Sequence, residues 1–326
     1  MKDVHVVIGI IIHEGNVLIA KRPEEKHQGG VWEFPGGKVK NKEKSYDALV
    51  RELNEEVGIV PQKARPLIKF SYKYPDQTIL LDVWIVRRWQ KRDSTCEQQE
   101  IHWIKFEDIT GYRMPPANKV IINAIRLPSL YLVSPGLTIS VQDYLNKIKT
   151  CLEAGVKLLQ LRCGDTVFDS HPDLIYKIID LCNFHGSKVL LNGSPEKAEL
   201  FNAHGVHLSG NRLKQLDKRP LDYSKYVAAS CHNKHELKHA CDIGVDFIVL
   251  SPVIKTRSHP DSKPLGWKRF STMVQNISVP VFALGGMKCS DMEIAWEHGA
   301  QGVAIQRHIW QAENSADNVR KCLENN

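Results

Sequence analysis

Glu52, Glu55 and Glu56 stand at i, i+3 and i+4 within GGKVKNKEKSYDALVRELNEEVGI, the stretch from Gly36 to Ile59. Helical spacing of this kind brings three carboxylates to one face. Like charges at i, i+4 oppose a helix, so Glu52 and Glu56 work against the fold unless a cation lies between them. A hard cation such as Mg2+ takes oxygen ligands and keeps several waters, which leaves room for a substrate phosphate. A solvated acidic face is the ordinary reading of an arbitrary glutamate cluster. The element that must position these groups is a helix of about three turns, with Ser45 as N-cap and Gly58 as its stop. Tyr46, Leu49, Val50, Leu53 and Val57 form its apolar stripe, and Arg51, four residues before Glu55, is placed to orient that carboxylate.

The full spacing is more specific than the cluster. From Gly37 through Glu43, Arg51, Glu52, Glu55, Glu56 and Gly58 to Ile59 the segment reads G-x5-E-x7-R-E-Φ-x-E-E-x-G-Φ, with Φ apolar. Its seven fixed residue types match by chance on the order of once in 10^9 start positions. The segment resembles the signature of the Nudix hydrolases. That resemblance implies an α/β/α sandwich with a mixed sheet and hydrolysis of a nucleoside diphosphate linked to another moiety. It also implies Mg2+, with Mn2+ as a substitute, held by the Gly36 carbonyl, Glu52, Glu55 and Glu56, and Glu52 as the base that activates water. Such chemistry needs a cation, because a polyphosphate repels a nucleophile until its oxygens are neutralised.

Likeness extends to the MutT branch through WEFPGGK, YPDQTILLDVWIVRRW and MPPAN. Carried over, Arg22 and Phe34 contact the nucleotide, Glu97 supplies a catalytic and metal-binding carboxylate outside the signature, and Asn118 reads the base. The implied substrate is an oxidised guanine nucleoside triphosphate, 8-oxo-dGTP, cleaved to the monophosphate and pyrophosphate in nucleotide sanitation. Oxidation at C8 turns guanine N7 from acceptor to donor, so one carboxamide can accept from N7–H and donate to O6. Other readings stand beside these. Asn118 follows two prolines as a helix cap would, Glu100 competes with Glu97, and Arg22 has Glu24 and Glu25 as surface partners.

From Leu130 onward the pattern changes to buried strands separated by helices: LYLV, LLQL, KVLL, GVHL, YVAA, FIVL, VPVFAL and GVAI. Eight parallel strands close a (β/α)8 TIM barrel, with an open doubly wound sheet as the alternative. The expected domains are 1–128 and 129–326. GVKLLQLR, KVLLN, GVHLSG, ASCHNKHEL, VLSPV, KPLGW and ALGGM resemble the thiamine phosphate synthase and TenI family. This resemblance implies a thiazole or thiamine phosphate held by Gln160, Arg162, Gly285 and Gly286, and proton transfer by His232, for which a structural role at a strand end is the rival. The synthase pattern carries acids where this chain has Gly193 and Arg212, and lysines where it has Cys163 or Gly164 and His259. Thiamine phosphate synthesis is therefore in doubt, and the barrel is expected to be tautomerase-like or a binding module. The fusion also raises a second reading of the first domain, hydrolysis of a thiamine-pathway diphosphate.

The 326 residues, 42% hydrophobic and 25% charged, are those of a folded protein with no low-complexity tract. A charge of +7 without a basic stripe suits small anions, and no stable nucleic-acid binding is expected. The apolar start is interrupted by His5 and reads as a buried strand, and no run is long enough to cross a bilayer, so no membrane partner and a cytoplasmic location are expected. Eight cysteines without a C-x-x-C pair read as reduced, mostly buried thiols. HELKH, from His235 to His239, fits H-E-x-x-H, but the stripe formed by Leu237, Ala240, Cys241 and Gly244 turns both histidines outward.

Overall fold

A computed structural model describes residues 4–22, 29–75, 77–91, 100–256 and 263–324. They pack as two units, Met1–Ile125 and Arg126–Asn326. Among the described residues no helix is long and apolar enough to cross a membrane.

The first unit is a mixed sheet between helices. Its elements are β1 (Val4–His13), β2 (Asn16–Lys21), β3 (Trp32–Glu33), β4 (Gly36–Lys38), α1 (Ser45–Val57), β5 (Ile59–Lys73), β6 (Thr78–Lys91), β7 (Ile101–Lys105) and α2 (Asn118–Arg126). The order β3-β2-β1-β6-β5 runs through one parallel pair, β1 with β6, while β4 pairs with β1 and β7 with β2. Alternation along β1 sends Val7 and Ile11 to one face and Ile8 and Ile10 to the other. The first face packs with Leu49, Leu53 and Val57 of α1, the second with Ile121 and Ala124 of α2. Helix α1 ends at Gly58, whose left-handed φ of 66° glycine adopts without strain. Its start differs from expectation: Lys44 is the N-cap, Ser45 is the first helical residue, and the Lys44 side chain makes no capping bond. Ala48 takes a buried place on the stripe, while Tyr46 is exposed and lies tilted against the Trp84 ring.

The second unit is a closed parallel barrel. In chain order it contains β8 (Leu130–Val133), α3 (Val141–Glu153), β9 (Leu158–Leu161), α4 (Asp165–Ser170), α5 (Pro172–Phe184), β10 (Lys188–Leu191), α6 (Pro195–Leu200), β11 (Gly205–Leu208), α7 (Gly210–Leu213), β12 (Tyr226–Cys231), α8 (Lys234–Asp242), β13 (Phe247–Leu250), α9 (Gly266–Val274), β14 (Val281–Ala283), α10 (Met292–Glu297), β15 (Gly302–Ile305), α11 (Arg307–Trp310) and α12 (Ser315–Leu323). The strands close in the order β10 to β15, then β8 and β9. Tyr131, Leu158, Phe247 and Phe282 fill the interior, and the larger core lies between strands and helices. Ser140, Ser194, Ser209, Asn233 and Asn314 each accept a first-turn N–H, so short loops hand over directly to helices. A Cβ at Gly302 would run into the Ser129 carbonyl, so close passage of β15 against β8 requires glycine there.

The cysteines depart in part from expectation. Cys151, Cys163, Cys182 and Cys231 are buried free thiols and Cys241 is half-buried, but Cys289 and Cys322 form a disulfide. Thirty-three residues separate the pair, so spacing carried no signal; the bond arises because α12 folds back on the turn that follows β14.

Candidate functional site

The carboxylate helix meets β4 at two points. The Gly36 N–H donates to Glu56 Oε2 at 2.8 Å, and Gly37 faces Glu52 so closely that a Cβ would overlap its carboxylate. Arg51 is the hub of the helix surface. Its Nε and Nη2 donate to the two oxygens of Glu43, each at 2.9 Å, Nη1 to Glu52 Oε1 at 2.6 Å and Glu55 Oε2 at 3.3 Å, and Nη2 also to the Lys38 carbonyl. A planar fork bonded to both carboxylate oxygens fixes direction as well as charge. Arg51 pushes Glu43 down to about 2, helped by the Lys40 N–H, and Glu43 in turn raises the arginine pKa. The signature glutamate Glu43 is thus the anchor that holds Arg51 against the carboxylate face of the helix, a role that spacing alone did not reveal.

The donor set of Glu52, Glu55, Glu56 and the Gly36 carbonyl is all oxygen, which fits a hard divalent cation. Among the described residues no three such side chains already converge on one point, because Arg51 Nη1 stands between Glu52 and Glu55. Glu52 Oε2, the oxygen turned toward Gly37, is the one that Arg51 leaves unused. Glu97 lies outside the described residues.

Across the sheet, the β1–β2 layer and α2 gather the other expected residues. Asn118 opens α2 and is 5% exposed, yet its Nδ2 has no hydrogen-bond partner among the described residues. Leaving a buried amide donor unpaired costs about 1–3 kcal/mol, so this group marks a place where a partner belongs. Phe34 is buried in the same core as Ala117 and Ile121. Arg22 donates from Nη1 to Glu33 at 3.1 Å, and its buried Nε has no partner among the described residues. Tyr74, unforeseen in the sequence, joins this group. Its hydroxyl, bonded by the Ala117 backbone, lies within electrostatic reach of Arg22 and Glu33, and burial pushes its pKa up. Only the position of the aromatic residue just before the Pro75 turn hinted at it.

In the barrel, Gln160 is buried, bonds the Tyr131 hydroxyl through Nε2 and accepts from Asn192 Nδ2 at 2.9 Å. His207 continues this network to Ser230 at 2.8 Å, and burial, with Arg162 adding repulsion, lowers its pKa to about 3. A neutral imidazole therefore sits in the barrel interior. His232 Nδ1 lies 2.8 Å from the Ser251 carbonyl, an acceptor only, which puts the proton of the neutral ring on Nδ1 and leaves Nε2 as its acceptor nitrogen. Its backbone N–H donates to buried Glu236, whose other oxygen pairs with Lys214. Burial works against the Glu236 charge, and the His232 N–H and Lys214 more than offset it. Gly285 and Gly286 have φ of 102° and 70°, and a Cβ at Gly285 would strike Pro252. Successive residues of this kind form a concave backbone suited to an anion. The β13 loop ties them to His232, since Val253 N–H donates to Leu284 and Ile254 N–H to Gly285. In HELKH, His235 is exposed and His239 bonds the Leu213 carbonyl, while Glu236 turns inward.

Known proteins align with both units. A family model for thiamine monophosphate synthase matches residues 130–309, and one for the NUDIX domain matches residues 6–124. The chain is 37% identical over 127 residues to an 8-oxo-dGTP diphosphatase of Escherichia coli, covering 39% of this chain and 98% of that protein. It is 26% identical over 226 residues to a thiamine-phosphate synthase of Prochlorococcus marinus, covering 69% of this chain and 62% of the relative, so it spans less than two thirds of that relative's length. The thiamine phosphate pyrophosphorylase structure from Pyrococcus furiosus superposes with a TM-score of 0.51 at 18% identity, over 60% of this chain and 94% of that one, which bears on the fold alone. Through its barrel the chain belongs to the thiamine monophosphate synthase family, and it carries at its N-terminal end a Nudix hydrolase domain of the MutT branch.

Proposed function

We propose that the Nudix unit is a Mg2+-dependent pyrophosphohydrolase of oxidised guanine nucleoside triphosphates, releasing the monophosphate and pyrophosphate. The observation that carries this reading is the buried Nδ2 of Asn118, which has no hydrogen-bond partner among the described residues. A carboxamide held there accepts from N7–H and donates to O6 of 8-oxoguanine, whereas undamaged guanine sets two acceptors against it. A pocket built on such a pair discriminates by roughly 10^4, because the mismatched groups stay buried and unbonded. Tyr74 and the Arg22–Glu33 pair lie beside this position and support it.

At the other end of the site, Glu52, Glu55, Glu56 and the Gly36 carbonyl would hold the cation. Once bound, it neutralises polyphosphate oxygens and acidifies water. Glu52 takes the water proton on Oε2, the oxygen that Arg51 leaves unused. Arg51, locked on Glu43, holds that carboxylate in direction. In the barrel, the open Nε2 of His232 and the Gly285–Gly286 concavity support a phosphorylated thiazole ligand and a proton transfer at His232.

The fusion itself favours a second reading, in which the Nudix unit hydrolyses a pyrimidine diphosphate linked to the barrel's ligand. Replacing Asn118 with Ala separates the two. A loss of kcat/KM confined to 8-oxo-dGTP, with dGTP turnover little changed, is the expected result. Equal effects on both nucleotides would remove base reading from Asn118.

A further inference from the structure

The part of the barrel mouth between β9 and β11 carries carboxylates, and each of them is already engaged. Asp165, at the start of α4, forms an ion pair with Arg212 of α7, on the far side of the β10 loop. Asp169 pairs with Lys197 at 2.9 Å, and the same ammonium donates to the Asp165 carbonyl at 3.0 Å and lies over the Phe168 ring. Glu196 turns back to the Ser194 hydroxyl, which lowers its pKa. Gly193 lies beside Phe168 and the Asp165 carboxylate. A Cβ there would come to 3.0 Å from Phe168 and 3.4 Å from Asp165 Oδ1, so the pair and the missing side chain fit one another.

The consequences follow from charge. A divalent cation needs hard, uncommitted oxygens and is repelled by a guanidinium and an ammonium at contact distance. A diphosphate needs uncommitted positive charge, and Arg212 and Lys197 have spent theirs on the two aspartates. We infer that the Asp165–Arg212 pair is a built-in closure that takes this side of the mouth out of use for a metal–diphosphate group and confines the ligand's phosphate to the Gly285–Gly286 side. This inference rests on the reading of the barrel as a phosphate-ligand site.

The test is titration calorimetry of the full chain with inorganic pyrophosphate, with and without Mg2+, comparing the native protein with Arg212→Asp and Asp165→Asn. Any binding at the Nudix unit is common to all three chains and cancels in the comparison. Arg212→Asp replaces the closing cation with a second carboxylate beside Asp165, and is expected to add a Mg2+-dependent binding event at least tenfold tighter than any in the native barrel. Asp165→Asn leaves Arg212 without its carboxylate partner and is expected to add pyrophosphate binding that does not need Mg2+; no added binding would show that Asp165 is not what holds Arg212 out of use. A native Mg2+-dependent event lost in Asp165→Asn, or no gain in Arg212→Asp, overturns the closure. Inorganic phosphate, titrated separately, tests the underlying reading: if it binds none of the three chains, the barrel is not a phosphate site, and the pyrophosphate comparison still decides the closure.

Discussion

Adding one methyl group at Gly37 probes the Nudix site without replacing a functional side chain. In Gly37→Ala the new Cβ overlaps Glu52 Oε2 and the carboxylate carbon, and even the farther oxygen, Oε1, would stand only 2.7 Å away. The backbone of Gly37 is not in the left-handed region, so the strain falls on the Glu52 side chain rather than on β4. To regain ordinary contact the carboxylate must retreat by about 1 Å, and a misplacement of that size costs roughly 10^2-fold in rate. The fold loses little, since the displaced group is the far end of a flexible side chain. The assay is steady-state turnover of 8-oxo-dGTP with thermal melting alongside, and Gly111→Ala, whose Cβ would meet nothing within 4 Å, is the control. Turnover of Gly37→Ala within threefold of the native protein, at an unchanged melting temperature, would refute the placement of Glu52 as the working carboxylate.

Three further outcomes are expected. Chelation of divalent ions abolishes hydrolysis and leaves the barrel's melting transition in place, and added Mg2+ restores turnover; hydrolysis that persists after chelation contradicts the donor-set argument. His207 has a folded pKa of about 3 against roughly 6.5 unfolded, so its contribution to stability is complete above about pH 6.5 and is lost as pH falls toward 3. Urea unfolding should therefore show about 2 kcal/mol less stability at pH 5 than at pH 7.5 from this residue, and His207→Gln should flatten that slope; an unchanged slope would show that His207 is not buried neutral. Gly302→Ala forces β15 away from the Ser129 carbonyl and should cost about 3 kcal/mol in urea unfolding, whereas a stability within 1 kcal/mol would mean that the β15–β8 seam can give.

Much of this was legible in the sequence because it rests on local periodicity. The strands beginning at Leu130, Leu158, Lys188 and Gly205 appear where apolar runs placed them, and the carboxylate helix stops at Gly58 as its turn chemistry requires. What was not legible depends on distant residues. The grip of Glu43 on Arg51 needs the loop before α1 to fold back on the helix, and the Arg22–Glu33 pair depends on β2 and β3 lying side by side. Tyr74 reaches Ala117 only because the β5–β6 turn lies near α2. The Cys289–Cys322 bond and the Asp165–Arg212 pair join residues 33 and 47 apart in sequence, beyond any pattern rule. The expected Ser45 cap failed by one position, because Lys44 already has the extended backbone of an N-cap.

The central claim is that the buried amide of Asn118 and the carboxylates of α1 serve one substrate. The direct measurement is turnover with Mg2+ on 8-oxo-dGTP, dGTP and hydroxymethylpyrimidine diphosphate, with pyrophosphate and phosphate quantified separately. Strong preference for 8-oxo-dGTP with release of pyrophosphate is the predicted result. Preference for the pyrimidine diphosphate with release of phosphate would contradict it and make the two units parts of one thiamine-linked system.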